Sequence, residues 1–138
     1  MIEDKLYSAL SDGKYKADIE RGGRILIDIG LMYLSELDET QSVALDIAQR
    51  FWDDRIKFDH KRLCYLEVLC DRMDKFLRNR EDESRLATLN RIVASSLMTT
   101  SGLSYHDAEF IADLAQNLSV PEAKLDEVFS KHIPEYRK

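Results

Sequence analysis

The sequence predicts an all-α protein, a single compact helical domain over residues 1–138, built as a bundle of about six or seven helices. Three observations carry that expectation. The chain has 138 residues and a mass of 16.0 kDa, room for one hydrophobic core. Its 5 glycines and 2 prolines starve it of the turn chemistry that a many-stranded sandwich or barrel needs. Apolar residues recur at steps of three and four, the period of an α-helix. With 44% hydrophobic and 33% charged residues, the chain is too apolar for wholesale disorder and too often interrupted by charge for a membrane span.

Residues 3–10 fit one short helix ending near Gly13, and residues 14–37 a longer one that Gly22-Gly23 either bends or splits. Between residues 25 and 34 apolar side chains occupy nearly every face, which places this element in the centre of the bundle. The alternation of Ile25, Ile27 and Ile29 makes a strand the rival there. Asp28 must find a partner, reach solvent or stay protonated, and Arg24, one helical turn earlier, is the candidate partner. Val43, Ile47 and Phe51 then share a stripe, with Ala44, Ala48 and Trp52 beside it, so a helix runs to Asp53 with Asp38 or Thr40 as its cap.

The clearest periodicity lies over residues 59–79, where Leu63, Leu66, Cys70, Met73 and Leu77 mark the apolar face of an amphipathic helix. Asp59 stands where an N-cap belongs, and Lys75, Arg78 and Arg80 complement the far end of the helix dipole. Glu81, Asp82 and Glu83 make an acidic start for a helix carrying Leu86, Leu89, Val93 and Leu97, and its uncharged end should be buried. Ser104 with Asp107 forms a capping-box pattern for a helix bearing Phe110, Ile111, Leu114 and Leu118, with Gly102 in the turn before it. Ser119 and Glu122 repeat the pattern around Pro121 for a last helix carrying Leu125, Val128 and Phe129. Residues 132–138 remain as a tail.

Net charge is −6, which disfavours nucleic acid and anionic membrane as partners. The charge is banded. Residues 36–59 hold seven acidic and three basic groups, residues 60–91 six and eight, and residues 101–129 six and one. If the fold joins the two acidic bands, they make one electronegative face suited to a cationic protein. Cys64 and Cys70 are spaced for divergent directions on one helix, so no disulfide links them. The acidic N-terminus lacks the basic start of a secretory signal, which makes a reducing cytoplasm the expected compartment.

No catalytic constellation is legible. Arg21-Gly22-Gly23-Arg24 is too short for a phosphate-cradling loop and reads as a helix junction. His60, His106 and His132 are dispersed and read as surface or capping residues. A cation site at His106, Asp107, Glu109 and Asp113 competes with simple helix capping and solvation, and Asp53, Asp54 and Asp59 lack the spacing of a calcium loop. The sequence therefore asks for no cofactor and no metal. Phe51, Trp52 and Phe58 are either core or the aromatic anchors of an interface.

The stretch Ala44, Ala48, Trp52-Asp53-Asp54-Arg55-Ile56, then Asp59 and Leu63, followed by the segment around Ala94, by Tyr105 and by an acidic close to Phe129, resembles helical bacterial immunity proteins of polymorphic toxin systems over about residues 40–129. The resemblance implies a non-enzymatic inhibitor that binds a cognate protein toxin, a basic nuclease among the candidates. We place the expected partner contact on Glu36, Asp38, Glu39, Trp52, Asp53, Asp54 and Asp59, with Asp107, Glu109 and Asp113 as a second patch. The alternatives are a homodimeric helical adaptor or regulator, and a small-molecule or catalytic bundle with its pocket near Asp28 and Arg24 or near His106.

Overall fold

A computed structural model describes residues 2–99 and 102–137, which are helical throughout apart from short connections, with no strand among the described residues. The helices are α1 (Ile2–Ala9), α2 (Ile19–Met32), α3 (Glu39–Asp53), α4 (Arg55–Arg78), α5 (Arg85–Ser96), α6 (Tyr105–Leu118) and α7 (Glu122–His132). Short 3-10 turns cover Leu34–Glu36 and Pro134–Arg137. The all-α class and the number of helices agree with the sequence reading.

The bundle has three layers. Antiparallel α2 and α5 form the middle one, α3 and α4 pack on one side, and α1, α6, α7 and the last 3-10 turn pack on the other. Opposite faces of the middle helices serve two apolar clusters. Ile27, Val93 and Leu97 join Ala44, Leu45, Ala48, Phe51, Trp52 and Leu69 on one side. Ile25, Ile29, Leu89 and Ile92 join Leu6, Ile111, Leu114, Phe129 and Tyr136 on the other. This double duty is why apolar residues ring α2, and it sets residues 25–34 in the centre, where the sequence puts them.

Gly22 and Gly23 neither split α2 nor end it. Asp18 accepts a hydrogen bond from the Arg21 amide at 3.1 Å, and the helix runs through both glycines to Met32. The glycine at 23 answers a packing need: a Cβ there would lie 2.7 Å from Trp52 Nε1. Gly102 is likewise a place of close approach, since a Cβ would lie 2.0 Å from the Lys16 carbonyl oxygen. The strand alternative for residues 24–29 is replaced by helix.

Local capping corrects three expected boundaries, and packing corrects a fourth. α4 begins at Arg55 with Asp54, not Asp59, as its cap, because α3 and α4 are joined by that single residue. Ser84 caps α5, so the acidic run Glu81–Asp82–Glu83 stays outside the helix. Ser119 closes α6 in the left-handed conformation, φ 56°, and Pro121 rather than Ser119 precedes α7. The C-terminal stretch is not a free tail, for Tyr136 is buried against Phe129, Leu6 and their neighbours. The capping boxes at Asp38–Gln41 and Ser104–Asp107 are formed, with both reciprocal hydrogen bonds.

Candidate functional site

Most of the carboxylates expected to meet a partner are engaged within the chain. Glu36 accepts two hydrogen bonds from Arg85, at 2.5 and 2.9 Å, and that bonding holds its carboxyl below the ordinary range. Asp38 caps α3 through the Gln41 amide at 2.9 Å and takes both terminal nitrogens of Arg72, which depresses its carboxyl against the opposing effect of burial. Asp53 pairs with Arg24 at 3.1 Å, Asp54 accepts from the Lys57 amide at 3.2 Å, and Asp59 pairs with Arg62 at 2.9 Å. Trp52 is core: it is 4% exposed and its indole nitrogen donates to the Ser96 carbonyl at 3.3 Å, so the ring is not presented to a partner. Asp107 closes the α6 capping box. Glu39, Glu109 and Asp113 stand exposed with no ion pair among the described residues.

The first acidic band is spread along its helix rather than gathered in one patch. Asp38 and Asp53 lie at opposite ends of the 15-residue α3, about 22 Å apart at 1.5 Å per residue. The second band is on α6 and α7, in the outer layer on the other side of α2 and α5. The local sequence alternation of charge could not reveal this, because it is the layering that parts the bands.

Asp28 finds its partners far along the chain rather than at Arg24. His132 Nε2 lies 2.6 Å from Asp28 Oδ2, and Lys131 Nζ lies 3.1 Å from the same oxygen. Burial acts to raise the Asp28 carboxyl, but the hydrogen bonds from His132 and Lys131 outweigh it and leave it below the ordinary range. Arg24 instead bridges Glu20 and Asp53. A basin of about 360 Å³ opens here, lined by Arg24, Asp28, Gln49, Asp53, Lys131 and His132 over an apolar base of Ile27 and Leu31. An imidazole oriented by a carboxylate is half of a general-base arrangement. No serine, threonine or cysteine lines the basin to serve as its nucleophile. The Asp28 pairs with Lys131 and His132 tie the end of α7 to α2. Among the described residues no three His, Cys, Asp or Glu side chains converge as a metal site.

The feature that sequence periodicity misplaces is on α4. The residues turned inward there are buried Arg62 and Leu69 with half-buried Phe58, Tyr65, Leu66 and Met73, and Arg62 donates to the Leu97 carbonyl at 2.8 Å. Leu66 and Met73 of the expected stripe therefore do pack against the core. Ile56, Leu63 and Leu77 face solvent, 95%, 49% and 63% exposed, with the half-buried Cys70 completing a row at intervals of seven. The expected apolar stripe thus divides, Leu66 and Met73 meeting the core while Leu63 and Leu77 form the outer shoulder of the helix. The signal for this was a second row, Phe58, Tyr65, Leu69 and Phe76, running beside the first.

Exposed Glu67, Asp71 and Asp74 flank the outer row on its solvent side, with exposed Lys75 and Arg78 one turn after Asp71 and Asp74. At the start of α4 the row runs into a groove of about 440 Å³ lined by Phe51, Arg55, Ile56, Asp59, Arg62 and Thr99. No helix of the described residues is long and apolar enough to cross a membrane. No protein-family model, curated protein or solved structure matches the chain.

Proposed function

We propose that this chain is a binding protein that carries out no reaction, acting as a cytoplasmic immunity protein that neutralises a cognate protein toxin by covering its active site or an essential surface. One observation carries the reading: α4 turns a row of large apolar side chains to solvent although the bundle already has two closed cores of its own. Exposed apolar side chains aligned along one helix are the mark of a partner surface. The resemblance of residues 44–63 and 94–129 to immunity proteins supplies the class of partner. The net charge of −6 supplies long-range attraction for a basic toxin such as a nuclease, with Asp59 beside the α4 groove and Glu39, Glu109 and Asp113 contributing from their separate places.

The test is purification of a tagged copy from its native cell, identification of any stoichiometric companion, and assay of that companion's activity with and without the chain. A basic enzyme inhibited on re-addition of the chain is the expected result. A stoichiometric companion whose activity is indifferent to the chain, or none at all, overturns the proposal.

A further inference from the structure

We infer that the groove at the start of α4 is a binding site for a small organic carboxylate, its anionic end held by Arg55 and Arg62 and its apolar body laid on Ile56. The inference goes beyond the reading of the chain as an inhibitor and does not depend on it, since it concerns a small ligand in a groove rather than a protein on a surface.

An uneven count of charge selects an anion. Residues 55–62 hold Arg55, Lys57, Lys61 and Arg62 against Asp59 alone, in a chain whose net charge is −6. Asp59 stands one helical turn after Arg55, the spacing at which the two would ordinarily pair. Arg62 takes it instead, at 2.9 Å, and also donates to the Leu97 carbonyl. The neighbouring carboxylates are engaged too, Asp53 with Arg24 and Asp54 with the Lys57 amide. Arg55 is left with no carboxylate partner among the described residues. Two guanidiniums and one carboxylate therefore line a groove of about 440 Å³, an excess of one positive charge that a monoanion neutralises. Lys57 and Lys61 lie over the Phe58 ring and His60 lies beside Cys64, and none of the three lines the groove.

Packing orders the cations before any ligand arrives. Arg62 Cζ lies 4.9 Å from the centre of the Phe51 ring, and Arg55 Cζ lies 5.6 Å from that ring and 5.4 Å from Trp52. Both rings are fixed in the core. An arginine stacked on a fixed ring gives up less freedom on binding than one moving in water, and its planar fork matches the two oxygens of a carboxylate. Thr99 adds a hydroxyl to the wall. Ile56 is 95% exposed, the barest large apolar side chain among the described residues, and it lines the same groove. A hydrocarbon body attached to the carboxylate would take that side chain out of water.

The experiment titrates the full chain by calorimetry with three probes at one ionic strength. Phenylacetate carries the anion and an apolar body, acetate the anion alone, and phenethylamine the same ring on a cation. Phenylacetate is expected to bind with a dissociation constant below about 10 mM, acetate at least about tenfold more weakly, and phenethylamine not at all. Arg55→Gln should weaken phenylacetate by about tenfold while leaving the circular dichroism spectrum unchanged, since Arg55 is exposed. Ile56→Ser should bring phenylacetate down toward acetate. Lys57→Gln removes an equal charge two residues away but outside the groove, and should bind like the parent chain.

Equal losses in Arg55→Gln and Lys57→Gln overturn the inference, because they would mean a diffuse attraction rather than a seat. Full binding of phenylacetate by Arg55→Gln overturns it as well. So does phenethylamine binding as tightly as phenylacetate, or the lack of any saturable heat from phenylacetate up to about 10 mM. None of these outcomes bears on whether a companion enzyme is inhibited, so the two proposals fail separately.

Discussion

Gly23 and Trp52 occupy one another's space, and three glycines of this chain form a graded series on that account. An added Cβ would meet the Lys16 carbonyl oxygen at 2.0 Å for Gly102, the Trp52 indole at 2.7 Å for Gly23, and the Leu45 methyl at 3.2 Å for Gly30. A backbone oxygen cannot step aside, an indole hydrogen-bonded to Ser96 can shift only with strain, and a leucine methyl yields by rotation. Urea unfolding is expected to rank Gly102→Ala as most damaging and Gly23→Ala next, at about 1–3 kcal/mol. Gly30→Ala should be near neutral, because alanine recovers about 1 kcal/mol of helix propensity. A charged residue gives a second expectation. Glu135 accepts from the Tyr15 hydroxyl at 2.7 Å, and that bond, aided by a backbone hydrogen bond and by Lys14, pulls its carboxyl down to about 2 from an ordinary 4.5. A depressed carboxyl stabilises the fold fully above its unfolded value, and this contribution is lost as pH falls from about 4.5 toward 2. Glu135→Gln should flatten the acid limb of a plot of urea midpoint against pH, and an unaltered limb would refute the assignment. The partners of Asp28 and Glu135 were not legible in the sequence, since each lies more than a hundred residues away, where no helical spacing points.

Helix ends were more legible than helix faces. Asp38 with Gln41 and Ser104 with Asp107 are short-range patterns whose partners are three residues off, and the structure forms both. Asp59 looked like a cap only because the preceding turn was assumed to be longer than the single residue that separates α3 from α4. The two carboxylates that cap those helices differ in how much they hold. Asp54 serves only the Lys57 amide, whereas Asp38 serves the Gln41 amide and also joins α3 to α4 through Arg72. Asp54→Ala should cost about 1 kcal/mol, an ordinary cap, and Asp38→Ala about 1–2 kcal/mol once the ion pair is added. Thermal denaturation of the two variants decides the order. The face of α4 was misread because the sequence supplies two adjacent apolar rows, and nothing local says which one meets α3 and α5. Buried Asn90, which donates to the Leu69 carbonyl at 3.0 Å and accepts from Gln41, fixes that choice from outside the helix.

At the scale of the whole molecule, α2 and α5 belong to both apolar clusters, so neither outer layer has a core that is its own. The stretch around residues 25–34 announced this by being apolar on every side, while the separation of the acidic bands onto opposite outer layers depended on packing that no stretch of sequence encodes alone. Shared walls couple the layers, and the bundle is expected to unfold in one transition rather than layer by layer. Trp52 turns that expectation into something that can be watched. It is the sole tryptophan of the chain, set where α3 meets α2 and α5, touching Gly23 and bonded to the Ser96 carbonyl. Its ultraviolet emission is therefore a native gauge of that seam, in need of no attached dye. Should the glow redden before helicity falls, the α3 and α4 layer parts first; a shared midpoint means that the three tiers give way as one.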